Sequence, residues 1–104
     1  MSEQDTENST ITVTKQVTLV NKHGIHVRTA ALIAESSESF QSDIRITSPL
    51  ATTDASDMMQ LLLLQANCGT ELVLSANGPD ASQAIESLHE LISNGFGLAE
   101  ERLD

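Results

Sequence analysis

His26 follows a glycine by two residues and precedes an arginine by two, in the run Gly24-Ile25-His26-Val27-Arg28-Thr29-Ala30-Ala31. Ala30, Ala31, Leu32, Ile33 and Ala34 favour helix, which places His26 at or just before a first helical turn. Backbone N–H groups there have no intrahelical acceptor, and the helix end carries partial positive charge. Such an end attracts anions. It also favours the neutral, nucleophilic imidazole, while Arg28 offers a planar donor fork matched to phosphate oxygens. A histidine ahead of a helix is, taken alone, as readily a cap or a surface residue. With Gly24 supplying the turn and Arg28 the charge, it becomes a candidate phosphoryl acceptor. The ring nitrogen would attack phosphorus in line, with positioning and charge neutralisation doing most of the work.

No other constellation offers chemistry. The single cysteine, Cys68, and three scattered histidines show no Cys-x-x-Cys or His-x-x-x-His spacing, so no metal is expected. There is no glycine-rich nucleotide loop, and no cofactor is expected. His23 reads as a surface turn residue and His89 as a solvated helix residue. The chain therefore reads as a carrier rather than an enzyme with its own substrate pocket.

One domain is the default for 104 residues, and 39% hydrophobic residues can supply a modest core. Phe40 and Phe96 are the only aromatic residues, so the core must be aliphatic and base stacking is disfavoured. A formal charge of −10 repels nucleic acid and anionic membranes, so partners should present basic or apolar faces. One cysteine excludes an internal disulfide framework and fits a reducing compartment. The first residues lack the basic and apolar regions of a secretory signal, and no stretch approaches membrane-spanning length. A cytoplasmic protein without membrane insertion is the expectation.

The elements that must position His26 follow from periodicity. Residues 1–10 are polar and aperiodic, as in a disordered tail, and 11–104 form the domain. Ile11, Val13, Val17 and Leu19 share one face of a first strand. A turn at Asn21-Lys22-His23-Gly24 leads into the helix, which should run to about Ser37. Phe40, Ser42, Ile44 and Ile46 alternate with polar residues as a second strand, and Leu50 to Thr53 could pair with it after the break at Pro49.

Asp57 is a good N-cap for a short helix closed by Gly69, with Gln60 placed to reach back in a capping box. That helix is too apolar to hide every side chain against one sheet. Core packing accounts for most of these residues, and Met58, Met59, Leu61 and Leu62 are the candidates for a docking patch. Leu72, Leu74 and Ala76 form the last strand, ended by Asn77-Gly78-Pro79. Ala81, Ala84, Ile85, Leu88, Leu91 and Ile92 make one stripe of the last helix, with Asp80 at its positive end and Asn94-Gly95 as its stop. The order strand, helix, strand, strand, helix, strand, helix implies a two-layer α+β fold with helices on one side of the sheet.

The His26 motif resembles the signature Gly-Leu/Ile-His-x-Arg-Pro-Ala of the histidine-containing phosphocarrier (HPr) family of the phosphoenolpyruvate-dependent sugar phosphotransferase system. The resemblance runs from about Lys15 to about Gly97 and includes Phe40-x-Ser42-x-Ile44 and Asn77-Gly78-x-Asp80. It implies an open-faced β-sandwich, a four-stranded antiparallel sheet covered on one face by three helices. It also implies that His26 takes a phosphoryl group on Nδ1 from enzyme I and passes it to an enzyme IIA domain, with Arg28 stabilising the phosphate and the protein working as a monomer.

Two departures stand out. Thr29 replaces the family's proline, and Asp57 falls at the position of a regulatory serine in many relatives. A second function class stays open: a regulator of the same fold whose binding to partner proteins is modulated by phosphorylation of His26.

Overall fold

The computed structural model describes residues 12–98. The expected tail, and Ile11 at the start of the first strand, lie outside them. Seven elements follow in the expected order: β1 (Thr12–Thr18), α1 (Val27–Glu38), β2 (Asp43–Thr47), β3 (Thr52–Asp54), α2 (Met58–Leu63), β4 (Glu71–Asn77) and α3 (Ala81–Ser93), with a 3-10 turn at Gly95–Gly97. The strands form one sheet in the order β1-β4-β2-β3, every neighbour antiparallel.

Alternation in the sequence sets the two faces. Val17, Ile44, Ile46, Leu72, Leu74 and Ala76 are buried, whereas Gln16, Thr18, Asp43 and Arg45 are exposed on the other side. Register brings Ile46 opposite Leu74 and Val17 opposite Leu72. The helices cover the apolar side, with Ala30 and Ile33 of α1, Leu61 of α2, and Ala84, Ile85, Leu88 and Ile92 of α3 in one cluster. The fold is thus the open-faced β-sandwich, a two-layer α+β arrangement. No described helix is long and apolar enough to cross a membrane.

Local detail departs from the periodic reading in three places. The second strand begins at Asp43 rather than Phe40, because the N–H groups of Gln41 and Ser42 donate to the Asp80 carboxylate at 2.8 and 2.9 Å instead of to a neighbouring strand. Its partner is Thr52–Asp54, shifted past Leu50, which is 73% exposed. Helix α2 ends at Leu63, well before Gly69. Gln65 adopts a left-handed φ of 52°, and the Gly69 N–H instead donates to the Leu19 carbonyl at 2.7 Å. A longer helix would carry Leu64, now buried, and the Ala66 carbonyl away from their partners.

Asp80 does not cap α3 with its side chain; it ties the start of β2 to the start of α3. The approach is close, since a Cβ on Gly78 would meet Ser42 Cα at 2.7 Å. Hydrogen bonds from the Ser42 hydroxyl, then the Gln41 N–H, hold the Asp80 carboxyl below the usual carboxylate range. The folded chain therefore binds that proton less tightly than the unfolded one. This stabilisation is complete above the unfolded value of about 3.9 and is lost as pH falls through the lowered folded value. Asp80→Asn should melt below the wild type at neutral pH, and the two melting temperatures should converge as pH drops below about 4. Melting curves followed by circular dichroism across pH check this, and a constant gap would remove the carboxylate charge from the account.

Candidate functional site

The turn before α1 is held from both sides. Ile25 is buried and its N–H donates to the Ala66 carbonyl at 2.9 Å, anchoring the residue before His26 to the exit of α2. Gly24 has φ of 63° and lies so close to that exit that a Cβ would meet Asn67 Cα at 2.7 Å, so glycine is required there for both conformation and space. The buried Asn21 amide donates to the Gly24 carbonyl at 2.8 Å.

His26 occupies the N-cap position of α1 in an extended conformation, φ −139° and ψ −170°. Its carbonyl accepts the first helical hydrogen bond from Ala30, at 2.7 Å. The imidazole is partly exposed, and Val27 and Arg28, in the first turn, are exposed. An incoming phosphoryl group would therefore meet a ring at a positive helix end with a guanidinium on the adjoining turn. The His23 ring lies edge-on to the His26 ring at 5.9 Å between centroids, a proximity that its place in a turn did not announce.

Two further groups hold this turn: Thr29, marked in the sequence only as a departure from the family signature, and Asn21, marked only as a turn residue. Thr29 is fully buried, and its hydroxyl accepts the His26 N–H at 2.9 Å; Asn21 is buried against the same turn. A threonine three residues after a cap is a possible sequence signal for such a back-bond.

Helix α2 sorts its apolar residues by direction. Leu61 is fully enclosed in the core, so it is a packing residue and not part of a docking patch. Met58 and Leu62 are partly buried, while Met59 is 68% and Leu63 73% exposed. Met59 and Leu63 are four residues apart and share one helix face. Leu63, which periodicity did not single out, thus joins Met59 as the most open apolar pair of the helix.

Asp57 caps α2, its carboxylate accepting the Gln60 N–H at 3.1 Å. The capping box is only half formed: the Gln60 side chain accepts from Asp54 N–H at 3.1 Å, and the Asp57 N–H donates to the Asp54 carbonyl. Ser56 is engaged as well: its N–H, then its hydroxyl, donate to the Asp54 carboxylate and hold it below the usual range. Among the described residues no group of three or more His, Cys, Asp or Glu could hold a metal ion.

Residues 13–94 match the family model described as the PTS HPr component phosphorylation site. The chain is 34% identical to the phosphocarrier protein HPr of Treponema pallidum over 84 residues, covering 81% of this chain and 96% of that protein. It is 36% identical to phosphocarrier protein HPr of Haemophilus influenzae over 78 residues, 75% of this chain and 92% of the relative. Among solved structures, HPr-C-His from Thermoanaerobacter tengcongensis superposes with a TM-score of 0.79 at 32% identity, covering 82% of this chain and 96% of that one.

Proposed function

The chain belongs to the HPr family of phosphotransferase-system phosphocarriers, and from that premise we propose that it accepts a phosphoryl group from phospho-enzyme I on His26 and delivers it to an enzyme IIA domain. The observation that carries this reading is the placement of His26: a partly exposed imidazole at the positive end of α1, with Arg28 in the same first turn. Attack by the ring nitrogen forms the N–P bond as the bond from phosphorus to the donor imidazole breaks, and the reverse exchange loads the acceptor. Arg28 balances charge on the equatorial oxygens during both transfers.

Arg28 is exposed, so removing its guanidinium should leave the fold intact. A charge-assisted hydrogen bond is worth roughly 1.5–3 kcal/mol, so Arg28→Ala should slow transfer by about one to two decades if the bond forms in the transition state. Rapid-quench measurement of phosphorylation by enzyme I reads this, and an unchanged rate would take Arg28 out of the site.

Met58, Met59, Leu62 and Leu63 are the proposed docking face for both partners, since methionine adapts to differently shaped surfaces. At Asp57 there is no hydroxyl for a serine kinase to modify, so that position serves as a helix cap that such a kinase does not switch. We read the carrier as a cytoplasmic monomer, a state that sedimentation at micromolar concentration would check. Labelled phosphoenolpyruvate, enzyme I and an enzyme IIA domain test the whole reading. Label must appear on this protein and then on the IIA domain. A chain that is labelled but never passes its label on would favour the regulatory alternative.

A further inference from the structure

Thr29 is where the His26 signature departs from its family, and it is fully buried. A proline at this place fixes φ and pre-forms the first turn, but it donates no hydrogen bond. The Thr29 hydroxyl does something different. Its oxygen accepts the His26 N–H at 2.9 Å and lies 2.9 Å from the Gly24 carbonyl and 3.3 Å from the His26 carbonyl. A hydroxyl has one proton to give, and the shorter distance assigns it to Gly24. One side chain thus joins the residue that makes the turn to the residue that would react.

We propose that the Thr29 hydroxyl is the positioning group of this carrier, tying His26 to Gly24 by hydrogen bonds where the family signature has a proline. The inference rests on the reading of His26 as phosphoryl acceptor. The clip keeps the His26 backbone extended at the helix end, which fixes where the imidazole starts from in reaching the in-line geometry. Asn21, donating to the same Gly24 carbonyl, closes the far side of the turn. The hydroxyl touches no reacting atom and acts through the His26 backbone, whereas the Thr29 N–H faces the His26 side chain in a capping box that a valine at this position would keep.

Thr29→Val keeps the β-branched shape and removes the hydroxyl, while Thr29→Ser keeps the hydroxyl and removes the methyl. In the valine variant, exchange of the His26 amide hydrogen should quicken about tenfold, and kcat for phosphorylation by enzyme I should fall by a similar factor, with KM unchanged. Serine should restore both to within about twofold. Amides of the sheet, read in the same exchange experiment, should stay protected, which separates loss of the clip from general loosening. If valine does not fold, Thr29→Ala is the second hydroxyl-free variant and must show the same loss. Transfer at the wild-type rate without the hydroxyl overturns the proposal, as does failure of serine to restore it, because packing of the methyl would then be the cause. A wild-type chain that takes no phosphoryl group overturns the function and this inference together, whereas normal wild-type transfer matched by the valine variant overturns this inference alone.

Discussion

His26→Ala is expected to take up no phosphoryl group from phospho-enzyme I while retaining its fold. Of the three histidines, His26 is the one at a helix N-terminus. His23 sits in the preceding turn, and His89 is within α3, where the backbone N–H groups are consumed by the helix itself. The structural cost should be small, because the imidazole is partly exposed and loss of an N-cap side chain typically costs about 0.5–2 kcal/mol. Far-ultraviolet circular dichroism should be unchanged and the melting temperature only slightly lower. His23→Ala is the demanding control, since its ring lies 5.9 Å from that of His26 and would be the nearest substitute acceptor. It should still be phosphorylated. Acid-labile label on the His26→Ala protein would overturn the assignment.

The second large effect separates two leucines of one short helix. Leu61 is fully enclosed, and removing a buried leucine side chain costs about 2–5 kcal/mol, a large share of the roughly 5–15 kcal/mol that holds a domain together. Leu61→Ala should therefore shift the urea midpoint strongly. Leu63 and Met59 are exposed, and surface changes of this kind usually stay within about 0.5 kcal/mol. The double variant Met59→Lys, Leu63→Lys should fold like the wild type yet show a several-fold higher KM for enzyme I, since two lysines would interrupt the apolar face. Unfolding of the double variant would assign both residues to the core. A normal KM in a folded protein would move the docking face away from α2.

Much of this was readable from local pattern. Alternation in Ile44-Arg45-Ile46 and Leu72-Val73-Leu74 marks strands with one buried face, the stripe from Ala81 to Ile92 marks α3, and Asp57 ahead of Met58 marks a cap. Each of these signals lies within a few residues of the structure it specifies, because side-chain direction repeats every two or 3.6 residues and an orphan N–H is satisfied by the nearest acceptor. The motif Gly24-Ile25-His26 with Arg28 is equally local, which is why the candidate site proposed here is legible in the sequence.

What tertiary structure alone decided are the contacts whose partners lie far along the chain. The alternation of Phe40 with Ser42 and Ile44 predicts a strand that starts at Phe40. The Asp80 carboxylate, 38 residues from Ser42, takes the Gln41 and Ser42 amides and delays the strand to Asp43. The sequence predicts Gly69 as the helix stop, but the chain leaves α2 earlier so that Leu64 enters the core and the Ala66 carbonyl receives the Ile25 N–H. Composition could show that α2 was too apolar to be buried all round; only its rotation against the sheet determined that Leu61 faces inward and Leu63 outward. In each case a buried polar group or a large side chain must find its partner wherever packing has placed one, and that place is not a property of the neighbouring residues.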